Sequence, residues 1–168
     1  CMSPVNIAKI FSGDASGYAP CTPEAVMEML DHYGIDPKGK KVTVIGRSMV
    51  VGKPLAMLLL GRHATVTICH TRTADLAATC RDAEILVAAA GKAKMVGASM
   101  AGEGAVVVDV GINMDPEGNL CGDVDFEAVE PKASFISPVP RGVGSVTTSV
   151  LAQHVVRAAE TLSGQKRV

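Results

Sequence analysis

The residues whose types and spacing could do chemistry lie between positions 46 and 144. Gly46-Arg47-Ser48-Met49-Val50-Val51-Gly52-Lys53-Pro54 follows a β-branched run, 41–45, and precedes an apolar stretch of helical length, 49–60. A glycine at such a strand-to-helix turn lets the backbone approach a pyrophosphate. The helix behind it offers free N–H groups and a positive dipole end. The loop is not G-x-G-x-x-G, because its glycines fill only the first and seventh positions. An ordinary tight turn is therefore the competing reading, and the strand–helix context favours the phosphate.

The end of the second strand discriminates between cofactors. A ribose 2′-hydroxyl calls for an Asp or Glu there. The sequence has His70-Thr71-Arg72-Thr73 instead, and its first acid is Asp75. Hydroxyls and a guanidinium suit a 2′-phosphate, since Arg pairs with phosphate bidentately. Arg47 is placed to reach the same phosphate. This points to NADP, and the alternative for Arg72 is a solvated surface charge.

Other candidates carry two readings each. Lys92 and Lys94 become acid/base groups only if burial lowers their pKa; otherwise they are solvated. Asp109 sits inside an apolar run and needs hydrogen-bond partners, for structure or for function. His70 suits a cofactor-loop contact better than a proton carrier, and His154 a half-buried helix face. Asp123, Asp125 and Glu127 cluster without His or Cys at ligand spacing, so no metal is assigned.

The elements that must position these residues alternate in type. Strands are expected over 41–45, 64–69, 84–89, 104–110 and 133–137, with helices over 49–60 and 74–81 between them. Several of these strands are continuously apolar, as a parallel sheet covered on both faces requires. The fold class is thus α/β, a Rossmann-like, doubly wound and mainly parallel sheet. A helix with Thr22 as N-cap and Pro23 at its first position buries Val26, Met27 and Leu30, and Gly34 ends it. Residues 1–20 show little periodicity. Residues 92–101 form a loop with a short helix. Asp115-Pro116-Glu117-Gly118-Asn119 marks a hairpin or arm. The Pro/Gly-rich 138–144 segment is expected to be neither helix nor strand, and a closing helix covers 147–162. The organisation reads as a linker and connecting helix (1–34), a cofactor domain (35–144) and a C-terminal helix (145–168).

Composition narrows the class further. The chain has 168 residues and a formal net charge of −1; 48% are hydrophobic and 3% aromatic. Disorder is excluded, and the charge balance argues against a sequence-independent nucleic-acid binder. No apolar run approaches a membrane span. Five cysteines without CxxC spacing read as reduced residues of a cytoplasmic protein.

Five motifs occur in order: Pro20-Cys21-Thr22-Pro23; Gly46-Arg47-Ser48-x-x-Val51-Gly52-x-Pro54; Val108-Asp109-Val110-Gly111-Ile112-Asn113; Gly122-Asp123-Val124; and Pro138-Val139-Pro140-x-Gly142-Val143-Gly144. Together they resemble the bifunctional methylenetetrahydrofolate dehydrogenase/methenyltetrahydrofolate cyclohydrolase family over nearly the whole chain. The resemblance implies two activities: oxidation of methylenetetrahydrofolate with hydride transfer to NADP, and hydrolysis of the methenyl product to formyltetrahydrofolate. It implies that Gly46, Arg47 and Ser48 hold cofactor phosphate and ribose, with Thr71 near the 2′-phosphate. Ile112 then contacts the nicotinamide side, and Pro140, Gly142, Val143 and Gly144 edge the folate cleft. It also implies a homodimer, for which 113–125 is the candidate contact.

Two departures qualify the resemblance. Arg141 stands where the family usually has Gly, and Ser145-Val146 where Pro-Met is common. The family's Tyr-x-x-x-Lys segment and its pterin-contacting Asp have no counterpart here. No catalytic residue is therefore assigned, and the chain, starting at Cys1, reads as the cofactor half of a larger enzyme. On that reading the flanking helices belong to the missing lobe's side of the cleft. The competing readings are a non-catalytic NADP-binding module and another NADP oxidoreductase such as a shikimate dehydrogenase-like enzyme.

Overall fold

Continuously apolar strands need cover on both faces, and the helices supply it. The structure, a computed structural model, describes residues 2–164. The chain begins with helices α1 (Pro4–Ser12) and α2 (Cys21–His32). The alternating unit follows: β1 (Lys41–Ile45), α3 (Gly52–Gly61), β2 (Thr65–Cys69), α4 (Leu76–Arg81) and β3 (Ile85–Ala88). After a 3-10 turn (Ala98–Met100) come β4 (Val106–Asp109), β5 (Asn113–Met114), β6 (Leu120–Cys121), α5 (Phe126–Val129), β7 (Phe135–Ile136) and α6 (Val143–Ser163). Residue 1 and residues 165–168 lie outside the described part, and with them the reading of Cys1.

Five strands form one parallel sheet in the order β2-β1-β3-β4-β7. Side chains alternate between its faces. Val42, Val44, Ile85, Val87 and Val108 pack with α2, α3 and α6, through Leu30, Leu55, Leu59 and Val150. Ile45, Leu86, Ala88 and Val107 pack on the other face with Cys80, Met100, Val124 and Val129. The expected α/β sheet is therefore present. β2 is its edge, so Thr65, Thr67 and Ile68 are exposed and only Cys69 is buried.

Helix boundaries departed from expectation where local chemistry won. Within residues 1–20, where little periodicity is expected, Pro4–Ser12 forms α1. The signals were local: the Ser3 hydroxyl accepts from the Asn6 N–H, Pro4 opens the helix, and Gly13 closes it at φ 74°. Thr22 is not the N-cap of α2, which starts at Cys21 without a side-chain cap. Pro23 falls inside the first turn, where its missing N–H costs nothing. Asp75 caps α4 rather than lying inside it, and its carboxylate accepts from the Ala78 N–H at 3.1 Å. α6 starts at Val143, so the end of the Pro/Gly-rich segment is helical. α2 and α6 pack on each other and share the core with the sheet. The expected hairpin is present, with β5 antiparallel to β6.

The four described cysteines are free thiols. Burial pushes the Cys80 thiol up to about 12, with Cys69 beside it adding to the rise. Burial raises the Cys69 thiol as well. In the unfolded chain these thiols ionise near pH 9, so folding keeps them neutral at higher pH. Their contribution is complete below about pH 9 and is lost as pH rises toward 12. Urea melts should show stability falling across that alkaline window. Cys80→Ala should flatten the decline; an unchanged slope would refute the assignment.

Candidate functional site

In an open α/β sheet, ligands sit at the carboxyl ends of the strands, where the strand order reverses. Here the reversal lies between β1 and β3: the chain moves outward from β1 to β2, then returns to the other side of β1. The loops after Ile45, Cys69, Ala88 and Asp109 share this edge.

The first loop explains its two glycines. Gly46 has φ 130°, and a Cβ there would overlap the Ala89 carbonyl across the reversal. The loop doubles back so that Gly52, the first residue of α3, lies over Gly46; a Cβ on Gly52 would overlap the Gly46 carbonyl. Ser48 pins the fold, with its hydroxyl accepting from the Val51 N–H at 3.0 Å and its carbonyl from the Lys53 N–H at 3.0 Å. The side chains of Arg47, Ser48, Met49 and Val50 are left exposed at the start of α3. The spacing of one and seven thus makes a crossed turn rather than a G-x-G-x-x-G loop.

The second loop lies beside the first. Ile45 pairs with Cys69, and the Gly46 N–H donates to the Cys69 carbonyl at 2.9 Å. His70 organises the turn: its N–H donates to the Thr73 hydroxyl at 2.8 Å, and its Nδ1 accepts from the Arg72 N–H at 3.1 Å. Thr71 and Arg72 are held outward and exposed. The two loops therefore present two guanidiniums, hydroxyls and a helix N-terminus on one sheet edge. Crowded glycines leave backbone, not side chain, at its base. That donor set fits a dinucleotide carrying an extra phosphate.

Two buried carboxylates hold the remaining loops. Asp109, at the end of β4, accepts from Gly111 N–H (2.8 Å), Asp123 N–H (3.0 Å) and Val124 N–H (2.9 Å). Burial raises its pKa; the three backbone donors oppose that rise, and the nearby Asp123 charge adds to it. Asp123 is fully buried. It accepts from Ala90 N–H (2.6 Å), Gly91 N–H (2.9 Å), Lys92 N–H (2.8 Å) and the Asn113 amide (2.9 Å). Cβ atoms at Gly111 and Gly122 would overlap Asp123 and Asp109. Asp109 thus has a structural role, and Asp123 is committed to three backbone donors and the Asn113 amide. Among the described residues no group of three or more His, Cys, Asp or Glu could hold a metal ion. The sequence reading missed the joint role of Asp109 and Asp123; the pairing of Val-Asp-Val-Gly with Gly-Asp-Val was its only signal.

The loops after β4 and β7 face each other across a cleft lined by Gly111, Ile112, Pro140, Gly142, Val143 and Gly144. Ile112 is 69% exposed at its rim. Lys92 and Lys94 are exposed, as their solvated reading requires. Arg141 is exposed too, at φ 77°, in a conformation that favours glycine.

The NAD(P)-binding domain model of tetrahydrofolate dehydrogenase/cyclohydrolase matches residues 20–163. The chain belongs to this family. The bifunctional protein FolD of Clostridioides difficile (strain 630) is 63% identical over 160 residues, which are 95% of this chain and 56% of that protein. A solved bifunctional FolD methylenetetrahydrofolate dehydrogenase/cyclohydrolase from Campylobacter jejuni superimposes with a TM-score of 0.92 at 44% identity, covering 94% of this chain and 56% of that one. The FolD of Trypanosoma brucei, solved with NADP cofactor and an inhibitor, gives 0.86 at 39% identity, covering 93% and 56%. The chain spans about half the length of the curated relatives it matches. A shikimate dehydrogenase-like enzyme is therefore the less favoured reading.

Two substitutions test this family's edge as it is built here. Asp123→Asn turns an amide N–H₂ toward the Ala90 and Gly91 N–H groups in one orientation, and toward the Lys92 N–H and the Asn113 amide in the other. It should cost about 2–5 kcal/mol, read as a lower urea midpoint, because buried donors lose their acceptors; less than about 1 kcal/mol would refute the brace. Arg141→Gly removes the Cβ strain of a left-handed residue. It should stabilise by about 1 kcal/mol, seen as a higher Tm, and a lower Tm would contradict it.

Proposed function

We propose that this chain is the NADP-binding part of an enzyme that interconverts methylenetetrahydrofolate, methenyltetrahydrofolate and formyltetrahydrofolate. The observation that carries the reading is the exposed Thr71-Arg72 turn beside the Gly46-Arg47-Ser48 loop, with no carboxylate on that turn. The family match and the NADP held by the Trypanosoma brucei structure support it. In this reading the Gly46–Gly52 crossing and the start of α3 take the pyrophosphate. Arg47, Thr71 and Arg72 take the 2′-phosphate, as charge-assisted donors suit a dianion. Ile112 borders the nicotinamide, and Pro140, Gly142, Val143 and Gly144 edge the folate. NADP, when bound, supplies the hydride acceptor; the protein orients it and excludes water.

No residue of the chain is assigned the acid/base role. The parent protein is the proposed dehydrogenase and cyclohydrolase, and the 168 residues alone should bind cofactor without turnover. Dehydrogenase activity of this chain above a no-enzyme blank would refute that last point. The same reading includes a homodimer through the hairpin at 113–125, whose Met114 and Leu120 are exposed apolar residues. Light scattering at high concentration should give a dimer mass, and a monomer would count against it. Among the described residues no helix is long and apolar enough to cross a membrane.

Titration should give tighter binding of NADP than of NAD. Arg72→Ala or Arg47→Ala should weaken NADP by about 1.5–3 kcal/mol, the range for a hydrogen bond to a charged group. NAD should change little. Equal affinity for both cofactors in the unmutated chain would overturn the 2′-phosphate assignment.

A further inference from the structure

Away from the cofactor edge, three side chains of α2 and α6 line up in an order that the proposed function does not use. His154 of α6 is 8% exposed. Its Nε2 lies 2.7 Å from the Glu24 carboxylate, and its Nδ1 lies 3.8 Å from the Cys21 sulfur. Both partners belong to the first turn of α2. The carboxylate only accepts, so the network assigns the proton to Nε2. Nδ1 then carries the lone pair and faces the thiol.

A histidine that only clamped two helices together would be satisfied by Glu24. It would not need a sulfur on its other ring nitrogen. Carboxylate, imidazole and thiol in that sequence are the parts of an activated nucleophile: the acid fixes the tautomer, the imidazole takes the proton, and the sulfur attacks. Cys21 adds two properties. It is the first residue of the twelve-residue helix α2, in the same turn as Glu24. It is also only half-buried, whereas Cys69, Cys80 and Cys121 are buried. An aromatic ring and a cation lie nearby. Tyr18 packs edge-on at 5.3 Å between ring centroids. Arg157 lies 4.5 Å above the Tyr18 ring and donates to the Ala15 and Gly17 carbonyls.

We propose that Cys21, His154 and Glu24 form a thiol-modification site that takes low-molecular-weight disulfides. The Cys21 proton passes to His154 Nδ1 as the sulfur attacks one sulfur of the disulfide. The new S–S bond forms as the old one breaks. The departing thiolate takes the proton back from His154, leaving a mixed disulfide on Cys21 and one free thiol. No outside oxidant is consumed, because the incoming disulfide is itself the oxidant. The adduct lies on the seam between α2 and α6, the helix whose first turn borders the cleft at Val143. The inference stands independently of the cofactor assignment.

The test is exposure of the folded chain to oxidised glutathione and, separately, to iodoacetamide, with peptide-resolved mass spectrometry. The peptide readout separates Cys21 from the other cysteines. Cys21 should take one glutathionyl group and should react at least about 100-fold faster than Cys69 or Cys80. His154→Asn should slow Cys21 by about 10-fold or more, as loss of a general base does, and should change the shape of its pH–rate profile. Glu24→Gln, whose amide oxygen still accepts from Nε2, should keep most of the rate, whereas Glu24→Leu should not. Far-UV circular dichroism checks that each variant is folded. If His154→Asn does not fold, the Glu24 pair and the wild-type selectivity decide. Equal rates and profiles in wild type and a folded His154→Asn would overturn the proposal. So would a folded chain in which Cys21 is no faster than the buried thiols, or equal rates in Glu24→Gln and Glu24→Leu.

Discussion

The carboxyl edge of the sheet depends on two buried carboxylates that accept from backbone N–H groups. Asp109 ties the end of β4 to the segment that follows β6. Asp123, on that segment, ties down the loop after β3 and the Asn113 amide. Taking an anion out of water is costly, and the upward shift at Asp109 shows that cost. Seven donors at 2.6–3.0 Å, three on Asp109 and four on Asp123, offset it. The result is a set of loops fixed by directional bonds rather than by apolar burial, which suits an edge that must stay open to a polar ligand.

Glycine is the complement of those carboxylates. Gly111 and Gly122 leave room for Asp123 and Asp109, and Gly46 and Gly52 leave room for each other's backbone and for Ala89. An alanine at any of these four positions would collide with a carbonyl or a carboxylate that has nowhere to go. The scarcity of aromatic residues fits the same economy of space: Val, Leu and Ala fill both faces of the sheet, and α2, α3 and α6 come close above one of them.

Much of the fold was legible. β1 runs over 41–45 as its β-branched pattern implied, and the crossovers and hairpin follow from periodicity and turn residues. α1 spans only nine residues and buries none of them, so its Ser3–Pro4 start and Gly13 stop are the local signals that mark it. α6 starts earlier than expected, because Gly144 sits in a first turn that tolerates it. At the edge, the glycine loop and the Thr71-Arg72 turn were visible as residue types. That Asp123 is wholly buried was not, since a charged residue in a turn-rich segment reads as surface.

The sequence by itself determined the kinds of element and their order, because hydrophobic period and turn chemistry act over a few residues. It also determined the chemistry offered at the ends of β1 and β2. The tertiary structure decided which distant groups meet: Asp109 with the N–H of Asp123, Gly52 with Gly46, and His154 with Glu24 and Cys21, some 130 residues away. Those pairings follow from the strand order and from the packing of α2 on α6. Both minimise exposed apolar surface and unpaired polar groups over the whole chain, and no local window contains that information.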